Sequence, residues 1–303
     1  MTASSWVTLL GVLVVAPLLP GIATRTKSLL TGRRGAPVLQ LYADLAKLAR
    51  KGVVYSRTTT IVFRAAPVLL TASVLVALLL LPLDGRASIL GFTGDLVALT
   101  GLLAVGRFAL VLAALDTGSS FEGMGTSREV TVAAFAEPAL LLALTVLVLA
   151  TGQLSLGGML GIPLSAAWPT VVPSLVLAGA SLFMLLLAEN ARVPIDDPAT
   201  HLELTMIHEV MVLDHSGPDL ALLLYASALK FALFGALLVS VLVPLARLDP
   251  WVAGMVLLGG LVLIGLLVGT IEAVMARIRM DRLPQFLVAA AALAAFGVIL
   301  LLR

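Results

Sequence analysis

Residues 220–245 read "LALLLYASALKFALFGALLVSVLVPL", a run with one charged side chain, Lys230. About twenty apolar residues in a helix suffice to cross the roughly 30 Å hydrocarbon core of a bilayer. The run is therefore a transmembrane helix that carries a cation. A lysine near the bilayer centre costs about 2.5–3.5 kcal/mol on insertion scales and persists only when paired or wetted. The fold is one of membrane-spanning helices, and something inside it must answer Lys230.

Just upstream, residues 188–219 read "AENARVPIDDPATHLELTMIHEVMVLDHSGPD". This stretch holds seven of the seventeen acidic residues and all three histidines. A chain that is otherwise apolar gathers its carboxylates and imidazoles into one loop beside the helix with the buried lysine.

The whole chain agrees with the membrane assignment. Its 303 residues are 60% hydrophobic and 12% charged, against roughly 25% charged in a soluble domain. Mean hydropathy is +1.13, so lipid is the main solvent. The apolar runs are continuous, without the alternation of a transmembrane β-barrel. The expected fold is all-α, a single integral membrane domain over residues 1–303, with about eight spans near 6–23, 61–82, 96–115, 130–150, 170–188, 220–245, 251–273 and 284–302. The start "MTASSWVTLLGVLVVAP" has no Lys or Arg before its apolar run and reads as a retained first span rather than a signal peptide. Pro67, Pro138, Pro173 and Pro244 fall near expected span ends, where a freed carbonyl is easily re-satisfied. No internal repeat stands out, which counts against an inverted-repeat transporter.

With no cysteine, the chain forms no disulfide and supplies no thiolate to an iron–sulfur cluster. Three histidines in one loop do not suit haem ligation between facing spans. Redox chemistry would belong to partners. No nucleic-acid motif is present, and a net charge of +2 says little about partners.

Orientation follows from Lys and Arg in the loops. The first loop carries Arg25, Lys27, Arg33, Arg34, Lys47, Arg50, Lys51 and Arg57, and loops on the same side add Arg128, Arg192, Arg277, Arg279 and Arg282. The opposite side has Arg86, Arg247 and Arg303. Thirteen against three places the acidic loop in the cytoplasm and both termini on the non-cytoplasmic side. Within the first loop, "PVLQLYADLAKLAR" (37–50) sets Val38, Leu41, Tyr42, Leu45 and Leu48 at helical spacing. That pattern suits an interfacial amphipathic helix, or equally a helix packed on a soluble partner.

Three ionisable residues lie well inside expected spans: Arg107, Glu137 and Lys230. Arg64 is near enough to a helix end to snorkel. At about 1.5 Å per residue, Glu137 lies roughly 10 Å from the cytoplasmic end of its helix, and Arg107 and Lys230 roughly 14–15 Å. Similar depths on spans 3, 4 and 6 let the three share one polar pocket. The plainer alternative is an ion pair that fixes helix packing. Near the expected entrance, "DTGSSFEGMGTSREV" carries Asp116, Glu122, Arg128 and Glu129 and reads as a compact turn, in which a lone Glu122 would ordinarily be solvated.

In the acidic loop, Asp196 or Asp197 can cap a helix starting at Pro198. Leu202, Met206, Ile207, Val210 and Leu213 would form its apolar face, with Glu203 inside that face. A carboxylate there is desolvated or paired, to Arg192 for example, which makes Glu203 a candidate proton carrier. His201, His208 and His215 are spaced by seven and would share another side. Their rings would stand about 10 Å apart, too far for one metal ion. A polar face docking a soluble partner, with Asp197, Glu209 and Asp214 around it, or a proton relay fits better.

These residues carry a resemblance. "AENARVPIDDPATHLEL" is similar to the motif of the complex I membrane subunit that carries the quinone tunnel (the NADH dehydrogenase subunit 1 family), with Glu189, Arg192, Pro194, Asp196, Glu203 and Leu204 at its positions. Arg128 and Glu137, nine apart, and "GRRGAP" before the amphipathic segment match as well. Within that superfamily, "FEGMGTSREVTVAAFAEPALL" and "HLELTMIHEVMVLDHSGPDLALLLYASALK" more closely resemble membrane subunits of group 4 [NiFe]-hydrogenases, the branch of formate hydrogenlyase and hydrogenase-4. Phe135-Ala136-Glu137 stands where complex I members usually have Ser-Tyr-Glu, and "LDHSGP" where they tend to have Glu-Tyr-Ser.

The resemblance implies a membrane anchor without cofactors of its own, in the cytoplasmic membrane of a prokaryote. The [NiFe] centre and iron–sulfur clusters would lie in hydrogenase large and small subunits and an iron–sulfur protein, beside antiporter-like membrane subunits. Glu137, Glu203, Glu189, Asp196, Asp116, Glu122 and Glu129, with Arg107, Lys230, Arg192 and Arg128, are the candidates for a proton path. A quinone-tunnel subunit of a respiratory NADH dehydrogenase is the alternative, with quinone as its ligand. A stand-alone transporter is the third reading.

Overall fold

The computed structural model describes residues 3–196 and 206–303. Asp197, His201, Glu203 and Leu204 lie outside the described residues. Those described form eleven α-helices and no strand: α1 (Ala3–Val15), α2 (Leu18–Leu30), α3 (Gln40–Ala49), α4 (Ile61–Leu79), α5 (Asp95–Asp116), α6 (Ser120–Thr151), α7 (Leu156–Leu160), α8 (Ile162–Glu189), α9 (Gly217–Leu242), α10 (Pro250–Val274) and α11 (Leu283–Leu301). Seven are long and apolar enough to cross a membrane, and α1 with α2 makes an eighth, bent by 46°. The chain is a polytopic helical membrane protein. At its centre is α9, buried along nearly every turn and flanked by α3, α4, α8 and α10. Around it α4 pairs with α5, α2 with α10, and α11 with α6 and α8.

The first span expected over 6–23 is broken into α1 and α2, which meet at the 46° bend. Pro17 has no N–H for the carbonyl of Leu13. In a greasy interior an unmet carbonyl is costly, and two tyrosines from elsewhere supply donors. The Tyr225 hydroxyl on α9 donates to the Leu13 carbonyl at 3.2 Å, and the Tyr42 hydroxyl on α3 donates to the Val14 carbonyl. The amphipathic helix expected over 37–50 is α3, and Tyr42 ties it to the broken span. Tyr225→Phe is expected to lower stability by about 1–3 kcal/mol, the penalty of one unmet buried acceptor. Thermal unfolding in detergent reads this as a lower midpoint, and an unchanged midpoint would mean that the carbonyl has another donor.

The connection between spans 3 and 4 also differs from expectation. It is only Thr117–Ser119, turned by Gly118 at φ +71°, and helix resumes at Ser120. At 32 residues, α6 is about 48 Å long. The glycines that read as turn residues serve packing instead. A Cβ on Gly125 would stand 2.8 Å from Val210 and 3.0 Å from the Ile207 carbonyl oxygen, so the loop ahead of α9 lies directly on α6. Pro138 and Pro173 are inside helices rather than near their ends, because α6 and α8 begin earlier than expected, whereas Pro67 stands in the second turn of α4 and Pro244 follows α9.

Before α9, the helix expected from Pro198 through Leu213 is not seen over its described part. Residues 206–209 are irregular, and a single 3-10 turn covers Val210–Val212. Side chains take the backbone groups a helix would use: Asp196 accepts from the Ile207 N–H at 2.9 Å, and Arg128 donates to the Met206 carbonyl at 2.9 Å. The start of α9 is locked to the first loop. Gly217 has φ +56°, and a Cβ there would sit 2.7 Å from the Gly52 carbonyl oxygen. Next to it the Val54 N–H donates to Ser216 Oγ (3.0 Å) and the Tyr55 hydroxyl to Asp219 (2.8 Å).

Candidate functional site

Four helices bring charges to one buried place. Midway along α5, Gly106 allows close approach of α4, since a Cβ would meet Ser73 Oγ at 2.5 Å. The next residue, Arg107, turns inward. Its Nε is 3.2 Å from Glu129 on α6, one terminal nitrogen is paired with Glu137 two turns along α6, and the other lies 2.6 Å from Glu189. The second oxygen of Glu189 is 2.6 Å from Lys230 Nζ on α9. A planar guanidinium carries five N–H donors in a fixed fork and so can face three carboxylates from three directions at once.

Glu189 is placed by the end of α8. Ala191 takes a left-handed conformation (φ 49°), the Arg192 N–H reaches back to the Leu187 carbonyl at 2.9 Å, and the Ala191 N–H to Ala188 at 3.3 Å. This Schellman pattern closes the helix just after Glu189. Beyond the turn, Arg192 lies 3.4 Å from Glu272 of α10 and 5.2 Å from the Phe231 ring centroid.

The cluster separates two spaces. Inside, a cavity of about 310 Å³ has Arg107, Glu129, Glu189, His208 and Lys230 at its polar part and Pro20, Leu41, Leu220 and Leu224 among its apolar lining. Outside, a groove between α5 and α6 runs past Val105, Phe108, Val130 and Glu137. Arg107 borders both. The Glu137 side chain is 45% exposed on that outer face, so its carboxylate is met by Arg107 on one side and is uncovered on the other.

Other residues singled out in the sequence go elsewhere. Asp116 accepts from the Thr60 N–H (2.6 Å) and hydroxyl (2.9 Å), fastening the start of α4. Glu122 is fully buried, contrary to the solvated loop position expected, and accepts from the Asp214 N–H at 3.3 Å. Asp196 is turned inward, 3.1 Å from Arg277. Arg64 lies over the Tyr55 ring at 4.5 Å.

The described histidines do not share a face. His215 is buried and stacked on Phe63, centroids 3.9 Å apart. Burial pushes its pKa below the usual value, against the pull of the Asp219 and Asp214 carboxylates. His208 lines the inner cavity, with Nε2 3.3 Å from Glu129. Glu209 borders the same cavity and Asp214 is exposed. Among the described residues no group of three His, Asp or Glu could hold a metal ion.

Residues 4–302 match the NADH dehydrogenase family. The chain belongs to that family. It is 34% identical over 238 residues to hydrogenase-4 component C of Escherichia coli (strain K12), covering 78% of this chain and 73% of that one. It is 31% identical over 281 residues to formate hydrogenlyase subunit 4 of the same organism, covering 89% of each. Its fold is similar to a chain in the structure of the membrane-bound sulfane sulfur reductase (MBS), an archaeal respiratory membrane complex, with a TM-score of 0.82, 98% coverage of both chains and 20% identity.

In this NADH dehydrogenase family member, sequence reasoning missed several buried charges. Glu272, the partner of Arg192, stands in the last turn of α10, and a lone acid in an apolar run was the available signal. Asp84, in the connection from α4 to α5, and Asp95, the first residue of α5, are fully buried. Asp84 accepts from Ser4 (2.9 Å) and Ser5 (2.7 Å), and Asp95 from the Leu156 N–H (2.6 Å). Both lie outside the expected spans, at 61–82 and 96–115, and nothing in the sequence marks them as buried.

Proposed function

We propose that this chain is the membrane anchor and proton-path subunit of an energy-converting [NiFe]-hydrogenase complex of the formate hydrogenlyase type. The observation that carries the reading is the charge cluster of Arg107, Glu129, Glu137, Glu189 and Lys230, buried except at Glu137, which lies between an inner cavity and an outer groove of α5 and α6. Charges this deep are expensive and persist where they serve a path or a pairing. An uncovered carboxylate at the outer end suits delivery to an antiporter-like membrane subunit seated against α5 and α6. Likeness to hydrogenase-4 component C and formate hydrogenlyase subunit 4 supports the choice of complex. Hydrogenase large and small subunits and an iron–sulfur protein would hold the metal centres and dock on the cytoplasmic loops, with both termini on the opposite side. Asp214, exposed at the surface, is a docking candidate. Asp196, held by Arg277, would act by shaping the loop.

The second reading, a quinone-tunnel subunit, is favoured by the cavity itself, whose apolar lining suits a lipid-soluble ligand. Purification through a tag on this chain in mild detergent separates the readings. Co-purifying subunits that carry nickel and iron, with hydrogen turnover, are expected. Bound quinone with NADH-linked turnover would favour the second reading, and a chain that transports alone in proteoliposomes would overturn both.

A further inference from the structure

We infer that the charge cluster holds one exchangeable proton, and that His208 is the group that passes it between the cavity and Glu129. The inference rests on the proton-path reading above and adds to it a carrier and a stoichiometry.

Among the described residues, the contact network contains three carboxylates, Glu129, Glu137 and Glu189, against two permanent cations, Arg107 and Lys230. One negative charge is left over. Glu129 and Glu189 are buried whereas Glu137 is open on one side. An uncompensated charge is strongly disfavoured at the buried end, and a single added proton there removes it. Glu189 is the poorest place for that proton, since Arg107 and Lys230 each hold one of its oxygens at 2.6 Å. Two places remain. Glu129 turns Oε1 to Arg107 and Oε2 to His208 Nε2, at 3.2 and 3.3 Å. Glu137 stands at the other side of the same guanidinium, on the outer groove. A proton at the inner place leaves Glu137 as the carboxylate Arg107 must balance, and a proton on Glu137 does the reverse. Occupation of the two ends is thus mutually exclusive.

His208 is built to load the inner end. Its ring lines the cavity, and neither nitrogen has a hydrogen-bond partner of good geometry. The other charges facing this place are engaged. Arg128 of α6 donates to the Met206 carbonyl, Arg192 beyond α8 lies beside Glu272, Lys230 of α9 holds Glu189, and Glu209 has a contact of its own. Nδ1 itself is enclosed, so in the transfer the ring, which lines the cavity, turns to take up a proton there at Nδ1. The Nε2–H bond then breaks and an O–H bond forms at Glu129 Oε2, with the electron pair left on nitrogen. One proton has entered, and the imidazole is neutral again in its other tautomer.

The test uses the assembled complex in membrane vesicles and reads protons moved per hydrogen turned over. A glutamine side chain keeps size and polarity but cannot be protonated and released, so His208→Gln should slow proton movement about a hundredfold, in the range of lost acid–base catalysis, and lower that ratio as hydrogen turnover continues without it. His208→Gly should do the same and recover with millimolar imidazole, which the vacated cavity admits. A normal ratio in His208→Gln overturns the inference, as does a glycine variant that assembles and imidazole fails to restore. If His208→Gly does not assemble, the glutamine result decides alone. Glu137→Gln in the same vesicles keeps the two levels apart. A normal ratio in His208→Gln beside a low one in Glu137→Gln removes His208 and leaves the path, whereas normal ratios in both remove the path.

Discussion

Replacing Arg107 with methionine should remove this subunit from the membrane fraction. The guanidinium is the common partner of Glu129, Glu137 and Glu189, and Lys230 reaches only the last of these. Without it, buried carboxylates lose their cation, at about 3–5 kcal/mol for a broken buried pair. That is a large part of the roughly 5–15 kcal/mol that holds a domain folded. Arg107→Lys should be intermediate, because one ammonium replaces the charge but not the fork. Arg107→Met combined with Glu129→Gln should recover part of the lost protein, since fewer charges are left unmatched. Immunoblots of washed membranes give the measurement, and wild-type levels of Arg107→Met would show that the cluster does not hold the bundle together.

The second large effect is on coupling rather than assembly. Glu137→Gln keeps size and hydrogen bonding but removes the titratable proton. Arg107 retains Glu129 and Glu189, so this substitution does not strand a buried cation, and the subunit should stay at normal level. Hydrogen turnover linked to the ion gradient should fall by about two orders of magnitude if the carboxyl carries the proton. Glu137→Asp should lose less, because the proton site has moved by one methylene only. Full coupled activity at normal protein level in Glu137→Gln would exclude the residue from any proton path.

Charge inside an apolar run was the most legible signal. Arg107, Glu137 and Lys230 stood out because burial demands partners, and comparable depth along their helices was enough to expect one pocket. The structure brings them together through Glu189, which stood out only by its motif. Periodicity misled where side chains compete for the backbone. The heptad spacing of the histidines required an α-helix, but Asp196 and Arg128 occupy backbone groups of Ile207 and Met206, and His208 and His215 end in different surroundings. Glycine misled in the other direction: Gly125 promised a turn and instead lets the acidic loop rest on a helix. Both failures come from contacts distant in sequence, which local patterns do not contain.

The two tyrosines at the broken span also set an order in time. Tyr42 follows Val14 by 28 residues, whereas Tyr225 follows Leu13 by 212. A ribosome adding about 5–20 residues per second makes the first donor within roughly 1–6 s and the second only after roughly 10–40 s. The bend at Pro17 is thus half secured early, by its own amphipathic neighbour, and waits for most of the chain to be made before its other carbonyl is met. Until α9 arrives, the Leu13 carbonyl lacks its Tyr225 donor, and a ribosome stalled before Tyr225 would leave the bend with only the donor from Tyr42.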